Sequence, residues 1–460
     1  MITKSLKGVV IILLAADELF QLFAERVAAN PQLYYNDYQL RKVMVRRSSA
    51  WYKGRPVDFL YQPMFFTSAD LECFEHLTSS LTRILLQVID RYRQDPVFRT
   101  YFAFPPLMEE LIMAEPGYEA KFPIARFDLF YQGKDEFKFC ELNADGTSSM
   151  NEVRVLHDVF KGSAIAKDLQ KEGYSFFDYE LFDTWAKTLI SYYHEFKSKH
   201  HGEHTSYIPK IAIVDFEGEG ITSEFFVFQE CFRRQGYTTI ICDPRELRYR
   251  SGSLYCGRQK IDLVYRRATT ARLVAEASDI KDFLQAYLDQ AVCVVGGFVS
   301  QIIHNKKIFA ILHDQQKTSF LSKRDRKFIE KHIPYTFCLR GNTQEQLERI
   351  LENKDKLVLK PFDLFAGRGV YLGCDYSFDE WEKLIYQVLG KDYLVQELCS
   401  LLQRKMLTIE DKKIYFENYK YMLGLFMYNQ KFSGIYTRVG RKNMIAAVQE
   451  SFTLPNFIVR

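Results

Sequence analysis

Two short β-patterned runs joined by a turn decide the fold: ARFDLFYQGKDEFKFCELN, residues 125–143. Apolar and polar residues alternate on both sides of the glycine-containing turn, which predicts a β-hairpin. Side chains two residues apart on a strand share a face, so Arg126 lies beside Asp128 and Glu141 lies beside Asn143. If the two strands pair around the turn, we expect the two sets to lie side by side.

The residue types on this face suit a metal ion. Two carboxylates, Asp128 and Glu141, and the amide of Asn143 are hard oxygen ligands. Mg²⁺ takes few such protein ligands and completes its shell with water and nucleotide phosphates. Arg126 could neutralise charge on a transferred phosphoryl group. The alternative, from the residues alone, is a charged solvent face with Arg126 and Asp128 as a surface pair.

Lysines and glycines further along the chain form a second candidate site. Lys306 and Lys307 precede an amphipathic helical run, and Lys360 ends an apolar strand. The loop that follows is glycine-rich, and such a loop exposes backbone N–H groups to phosphate oxygens. Its candidate ligands are Gly367, Arg368 and Gly369. No GxxxxGK[ST] motif occurs, so an ordinary P-loop is excluded. The alternatives are a solvated strand end and a plain turn.

Two further elements are weaker on their own. Gln396 and Glu397 end a predicted strand, where main-chain groups could hydrogen-bond an adenine edge. Arg438 lies in the run GIYTRVG, residues 434–440, and either faces the same cleft or is a surface hairpin arginine.

The composition is that of an ordinary folded enzyme. The chain has 460 residues, 47% of them hydrophobic and 26% charged, and this length predicts two to four domains. The net charge of +4 comes from 62 basic and 58 acidic residues, so a nucleic-acid partner is not expected. The nine cysteines are scattered and never form CxxC, which favours a reducing cytoplasm as the localisation.

The N-terminal apolar run, residues 9–16, resembles a signal peptide because two lysines precede it. Asp17 and Glu18 follow at once and the helical stripe continues, so we expect a buried helix instead. No apolar run reaches the ~18 residues that a membrane span needs, and no membrane partner is expected.

The changing periodicity predicts four regions and a mixed fold of the α+β or α/β class. Strand and helix patterns alternate between residues 206 and 295, which predicts a small parallel sheet with strands at 211–216, 238–242 and 261–266. The expected regions are a helical N-terminal region (1–115), a part containing the hairpin (116–205), the small α/β domain (206–295) and a final mixed segment (296–460).

A polar stretch, residues 197–207, is expected to be a linker between the second and third regions. It contains the histidines His200, His201 and His204. No cysteine or carboxylate accompanies them at a metal-binding spacing, so zinc is not expected there.

In this order, the motifs resemble those of the circularly permuted ATP-grasp ligases, the group of glutathionylspermidine synthetase. The matching motifs are Arg126-Phe127-Asp128, Glu141-Leu142-Asn143-Ala144-Asp145, Asn305-Lys306-Lys307-Ile308-Phe309, Lys360-Pro361 with the loop to Gly369, Gln396-Glu397, and Gly434 to Arg438. The metal-ligand hairpin precedes the lysine strands, as it does in the permuted group. The resemblance covers roughly residues 120–460.

This resemblance implies an ATP-grasp fold, with residues 206–295 as the pre-ATP-grasp domain, and a Mg²⁺-dependent reaction. ATP phosphorylates a small-molecule or peptide carboxylate, and an amine then attacks the acyl phosphate to give an amide. The implied residue roles are as follows: Asp128, Glu141 and Asn143 hold Mg²⁺; Lys306, Lys360, Gly367, Arg368, Gly369, Gln396 and Glu397 bind ATP; Arg126 and Arg438 are catalytic; Ser148, Ser149 and either Arg266 or Arg267 contact substrate. Whether Lys306 or Lys307 contacts phosphate is left open, as is the oligomeric state.

The sequence also departs from glutathionylspermidine synthetase. The loop after the hairpin, residues 145–148, lacks that enzyme's proline, the glycine loop differs, and no cysteine–histidine amidase domain is expected. Glutathione and spermidine are therefore not the expected substrates. Two alternatives to the ligase stay open: a nucleotide-binding interaction protein without ligase activity, and a small-molecule kinase.

Overall fold

The computed structural model describes residues 16–133, 136–201, 207–339, 343–364, 367–445 and 450–459. Its α-helices, in chain order, are Ala16–Ala29, Pro31–Arg47, Ser68–Gln94, Pro96–Phe102, Pro106–Met113, Met150–Lys161, Ala164–Lys171, Phe182–His201, Thr222–Arg234, Thr270–Ala275, Lys281–Leu288, Gln301–His304, Lys307–His313, Lys323–His332, Gln344–Glu352 and Phe378–Val388.

The predicted hairpin lies in an antiparallel sheet, the central sheet. Across the hairpin Arg126 pairs with Asn143 and Asp128 pairs with Glu141, so the predicted hairpin and its side-by-side arrangement are confirmed. The strands in spatial order are Phe452–Leu454, Lys431–Gly440, Lys413–Tyr428, Ile124–Gly133 and Glu136–Asn143, and Gln403–Glu410 also pairs with Lys413–Tyr428. The strand Lys413–Tyr428 is the longest of these, with 16 residues.

Alternation along the hairpin separates a core face from a polar face. Phe127 and Leu129 are buried in the largest hydrophobic core, together with the apolar residues of the helix Ser68–Gln94. Because side chains alternate across a strand, Arg126 and Asp128 lie on the opposite face. The apolar face therefore holds the sheet in place by packing in the core, and the polar face carries the candidate site residues.

Four parallel strands form a second sheet, the parallel sheet. In spatial order they are Cys293–Val295, Leu263–Arg266, Ile211–Val214 and Thr239–Cys242. Three of them confirm the predicted strands, and Cys293–Val295 is a fourth that the sequence pattern did not indicate. An inserted antiparallel sheet, also not predicted, follows Thr239–Cys242 and consists of Leu247–Arg250, Ser253–Cys256 and Gln259–Ile261. The carboxyl ends of parallel strands meet at one edge, where ligand sites are common in such sheets.

A third sheet, the small sheet, carries the predicted lysine strand. Its antiparallel strands in spatial order are Thr336–Cys338, Tyr393–Glu397, Leu357–Pro361 and Tyr371–Leu372. The helices Gln344–Glu352 and Phe378–Val388 contribute Ile350, Trp381 and Ile385 to a core with Leu359 and Val395 of this sheet. Lys360 thus lies on a strand that the hydrophobic core of the small sheet holds in place.

The N-terminal region packs against the C-terminal end of the chain. The strand Asn456–Val459 pairs in parallel with Met64–Phe66 and antiparallel with Phe176–Phe177, and the strands Trp51–Tyr52 and Arg55–Pro56 pair with each other. The expected stripe of the helix Ala16–Ala29 consists of Phe20, Leu22, Phe23 and Val27. Phe23 and Val27 are buried, together with Leu19, and Phe20 and Leu22 are partly buried. Residues 1–15, with most of the apolar run, lie outside the described residues.

The predicted linker at residues 197–207 is wrong in its first part. Residues 197–201 complete the helix Phe182–His201, because Tyr193 and Phe196 continue its buried face. Residues 202–206 lie outside the described residues. Among the helices that the structure describes, none is both long enough and apolar enough to cross a membrane.

Candidate active site

One cavity of about 350 Å³ collects most of the predicted site residues. Its wall combines the polar face of the central sheet, the small sheet and the carboxyl edge of the parallel sheet. The predicted residues that line it are Arg126, Glu141, Asn143, Ser148, Ser149, Arg267, Lys306, Lys360, Gly367, Gln396, Glu397 and Arg438. Asp128, Arg266, Arg368 and Gly369 are not among its lining residues.

Asp128 lies behind this wall, where it holds several polar groups together. It is 0% exposed, and Arg126 donates to both of its oxygens, at 2.6 and 2.9 Å. Arg438 Nη2 lies 3.4 Å from Oδ2, and Asn143 Nδ2 donates to the same oxygen at 3.0 Å. Burial by itself would lower the pKa of Arg126, but the charge of Asp128 outweighs it and raises that pKa. Asp128 therefore holds the side chains of two cavity arginines in place.

Two residues that sequence reasoning missed support this cluster. Gly424 pairs with Asp128 across the central sheet, and a Cβ there would lie 2.7 Å from Arg126 Cδ and 2.8 Å from Asp128 Oδ1. The ring of Tyr436 contacts both guanidinium groups, with centroid distances of 4.9 Å to Arg126 and 5.3 Å to Arg438. A glycine inside a strand pattern is a signal for close approach, whereas nothing in the sequence indicates the role of Tyr436.

Lys306 is the cavity lysine of the Lys306–Lys307 pair. Its Nζ lies 2.8 Å from Glu141 Oε1 and donates to the carbonyl of Leu364 at 2.6 Å. Lys307 instead donates to the carbonyl of Phe102, on the N-terminal side of the molecule. Burial raises the pKa of the Glu141 carboxyl, but Lys306, and then Lys360, outweigh burial and lower that pKa to about 2.

Lys360 reaches the same wall from the small sheet. Its Nζ donates to Gln396 Oε1 at 2.6 Å and to the carbonyl of Cys140 at 3.3 Å. Gln396 is held in turn by Thr336, at 2.9 Å. Glu397 is more exposed and its Oε2 lies 3.4 Å from Lys138 Nζ.

The glycine loop is described in part, because Phe365 and Ala366 lie outside the described residues. Gly367 and Gly369 have φ angles of +77° and +68°, in the left-handed region that glycine adopts without strain. Gly367 lines the cavity. A Cβ on Gly369 would lie 2.7 Å from Tyr393 Oη, so this position accepts only glycine without rearrangement.

The hairpin residues fit Mg²⁺ in part. The amide nitrogen of Asn143 faces Asp128, which leaves its Oδ1 as the atom that could bind a cation. Glu141 presents a carboxylate that stays ionised. Asp128, as placed, does not fit because Arg126, Arg438 and Asn143 surround its oxygens. No group of three or more His, Cys, Asp or Glu side chains within the described ranges is arranged to hold a metal. A divalent cation here would therefore use Glu141 and Asn143.

The loop after the hairpin is held by two arginines. Arg126 donates to the carbonyl of Ser148 at 3.0 Å, and Arg267 donates to the carbonyl of Thr147. Ser149 has a φ of +83° and directly precedes the helix Met150–Lys161. The side chains of Ser148 and Ser149 are thus presented at the cavity wall by a loop of fixed shape.

The two neighbouring arginines of the parallel sheet differ in placement. Arg266 is buried, lies 2.7 Å from Asp145 Oδ1 and donates to the carbonyl of Ala268 at 2.7 Å. Arg267 lines the cavity and pairs with Glu224 at 3.1 Å. The contacts of Arg266 are therefore structural. Of the two arginines expected to contact substrate, Arg267 is the one at the cavity.

Two further cavity residues, Asp215 and His304, were missed. Asp215 follows the strand Ile211–Val214 at the carboxyl edge of the parallel sheet, and burial raises its pKa to about 6 although Arg267 opposes the shift. His304 is 8% exposed and lies 3.6 Å from Asp363. A polar residue directly after a buried parallel strand is a usable sequence signal, so Asp215 could have been found.

The sheet arrangement and the cavity between the sheets define an ATP-grasp fold. The sequence model of the family described as glutathionylspermidine synthase pre-ATP-grasp matches residues 57–321. This is more than half of the chain, and the protein belongs to that family. The predicted family resemblance and fold class are confirmed.

One solved structure shares the fold at low sequence identity, and a second is less similar. A glutathione synthetase-like effector from Globodera pallida, in its apo form, is 12% identical with a TM-score of 0.61, covering 93% of this chain and 98% of its own. A protein from Methylobacillus flagellatus described as a putative γ-glutamylcysteine synthetase is 12% identical with a TM-score of 0.41, covering 83% of this chain and 87% of its own. No curated protein matches the sequence significantly.

Proposed function

We propose that the protein is an ATP-dependent carboxylate–amine ligase that acts through an acyl phosphate. The observation that carries the proposal is the single cavity in which Lys306, Lys360 and Glu141 lie with Arg126 and the serine loop. Cationic groups suited to a triphosphate and a loop suited to an acyl substrate thus share one water-accessible space. The family membership supports the same class of reaction.

The proposed first step is phosphoryl transfer. A carboxylate oxygen of the acid attacks the γ-phosphorus of ATP, ADP leaves, and the acid becomes an acyl phosphate. Lys306 and Lys360 hold the phosphates by charge, since each ammonium group is a compact positive charge. Arg126 and Arg438 face the transferred group, where fixed positive charge stabilises the transition state.

Mg²⁺ is the implied metal, and Glu141 with Asn143 would hold it. When bound, it supplies positive charge between the nucleotide phosphates. The low pKa of Glu141 keeps its carboxylate ionised at every physiological pH. Lys306 lies 2.8 Å from Glu141 and would be available to a phosphate oxygen if a cation held that carboxylate.

The proposed second step is attack by the amine on the acyl carbonyl, which releases phosphate and leaves an amide. We assign binding of the attacking amine to Asp215, because this half-buried carboxylate faces the cavity and has few partners there. With a pKa of about 6, it is largely ionised near neutral pH and can accept a hydrogen bond or a proton from the attacking nitrogen. Arg267, next to the serine loop, is placed for a second carboxylate of the acid.

The test is release of ADP from MgATP across a matrix of small-molecule and peptide acids combined with amines. We expect turnover only where an acid and an amine are present together. Lys360→Met should reduce it by about 100-fold, a loss of about 2.7 kcal/mol of transition-state stabilisation. Lys356→Met is the matched control, since this exposed lysine directly precedes the strand that carries Lys360. ADP release that never depends on an amine would refute the ligase.

Trapping with hydroxylamine separates the proposed ligase from a small-molecule kinase. An acyl phosphate reacts with hydroxylamine to give a hydroxamate, whereas the phosphoester product of a small-molecule kinase does not. A protein that binds MgATP but supports no turnover with any acid–amine pair would favour the interaction protein, a possibility suggested by its similarity in fold to an effector.

A further inference from the structure

A short hairpin from the N-terminal region, the N-terminal hairpin, forms part of the cavity wall. Its strands, Trp51–Tyr52 and Arg55–Pro56, are joined by a turn of two residues, Lys53 and Gly54. Both turn residues have positive φ angles, +48° and +79°, as the tightest hairpin turns require. Arg55 lines the cavity, whereas Lys53 is not among its lining residues. The N-terminal hairpin therefore presents one of its two cationic side chains to the cavity.

Hydrogen bonds hold the base of the N-terminal hairpin beside the loop that carries Ser148 and Ser149. The side chain of Asn151, just after that loop, donates to the carbonyl of Ser49 at 2.7 Å and accepts from the hydroxyl of Ser49 at 3.1 Å. On the other side, the backbone N–H of Thr453 in the central sheet donates to the carbonyl of Asp58 at 2.9 Å. The position of the hairpin is thus fixed next to the loop expected to contact the acyl substrate.

Arg55 is the cavity cation whose charge is least engaged. Among the described residues, the other cationic side chains that line the cavity have close polar partners: Arg126 and Arg438 contact Asp128, Lys306 contacts Glu141, Arg267 contacts Glu224, and Lys360 contacts Gln396. The acidic neighbour of Arg55 is Asp58, with 3.9 Å between Nη1 and Oδ2. These two side chains are 62% and 58% exposed, and such exposed pairs contribute little free energy. Arg55 is therefore available to an anionic group of a ligand.

We propose that Arg55 determines substrate specificity, and that the acid substrate carries a second anionic group at the end farthest from its reacting carboxylate. The guanidinium group binds a carboxylate through two parallel N–H···O bonds. Because the N-terminal hairpin adjoins the loop with Ser148 and Ser149, an acid that extends outward from this loop meets Arg55. An α,ω-dicarboxylic acid and a peptide with a free C-terminal carboxylate both have this form. This role in substrate choice rests on the proposed function.

The sequence model of the family begins at residue 57, so Arg55 precedes the part of the chain that the family shares. The chemistry of the ligase is assigned above to residues of the sheets and their loops. The N-terminal hairpin contributes a charge to the same cavity from outside the family match, and it therefore distinguishes among acids without taking part in the reaction.

The experiment measures binding of the dicarboxylic acids from glutarate to suberate by calorimetry in the presence of MgADP. Each acid is compared with its monomethyl ester, which keeps one carboxylate and loses the second charge. We expect wild type to bind the best diacid about 10-fold more tightly than its ester, a difference of about 1.4 kcal/mol. Arg55→Ser should reduce this preference to about twofold or less and leave the affinity for the ester unchanged.

Two matched variants serve as controls. Lys53→Ser removes a cation from the same hairpin that does not line the cavity, and it should keep the preference. Asp58→Asn should keep or increase the preference, because it removes the carboxylate beside Arg55 while the backbone bond from Thr453 remains. Circular dichroism checks that all three variants fold.

The proposal is overturned if wild type has no preference for any diacid, if Arg55→Ser retains the preference, or if either control loses it to the same extent. These binding measurements need no turnover. A diacid preference that depends on Arg55, found in a protein that forms no hydroxamate with hydroxylamine, would therefore count against the ligase and leave the assignment of Arg55 as an anion-binding residue intact.

Discussion

Asp128→Asn removes the one negative charge that two cavity arginines share, and we expect it to destabilise the fold strongly. Arg126 is 6% exposed and would be left as a buried cation without a counter-charge. Breaking a buried ion pair by removing one partner typically costs about 3–5 kcal/mol. We expect the lower end, about 3 kcal/mol, because the carbonyl of Ser148 and the ring of Tyr436 still face the guanidinium.

The assay is urea unfolding followed by tryptophan fluorescence, compared with Asp90→Asn. Asp90 is an exposed aspartate on the helix Ser68–Gln94, so the same substitution there should change the free energy of unfolding by less than about 0.5 kcal/mol. MgADP binding is measured in parallel by calorimetry. If Asp128→Asn leaves stability unchanged and abolishes nucleotide binding, Asp128 is a metal ligand, and its role in holding Arg126 and Arg438 is wrong.

Three further predictions test residues around the cavity. Gly424→Ala should lower the free energy of unfolding by about 1–3 kcal/mol, since its Cβ would press on Arg126 and Asp128; thermal unfolding indistinguishable from wild type would contradict this. Tyr436→Leu should be less stable by about 1 kcal/mol than Tyr436→Phe, because only the second keeps the ring beside both arginines; equal urea midpoints would argue against that contact. Asp215→Asn should be more stable than wild type above pH 6, and the difference should vanish as the pH falls below 3.8. The pKa of Asp215 rises from 3.8 to about 6 on folding, so its burial costs up to about 3 kcal/mol once it is ionised; a pH-independent difference in unfolding free energy would refute this.

The polar face of the hairpin could be read from the sequence because its causes are local. Alternation along each strand and the turn between them place Arg126 and Asp128 on one face and Glu141 and Asn143 on another. The hairpin register then brings the two sets together. Three of the four parallel strands were found in the same way, from short apolar runs between helical patterns.

Which side chains face a ligand was decided by contacts between segments far apart in the chain. Asp128 was expected among the metal ligands, yet Arg438, from a strand near the C-terminus, lies 3.4 Å from it behind the cavity wall. Lys306 and Lys307 are adjacent and chemically identical, and only the packed chain brings Lys306 to Glu141 and Lys307 to the carbonyl of Phe102.

The sequence by itself determined the hairpin face, three of the parallel strands and the family, because these depend on short-range periodicity and on motifs in a fixed order. The tertiary structure alone decided the environment of Asp215 and the need for glycine at position 424. Burial and contact distance are properties of the packed chain, since they arise only when separate sheets close on each other.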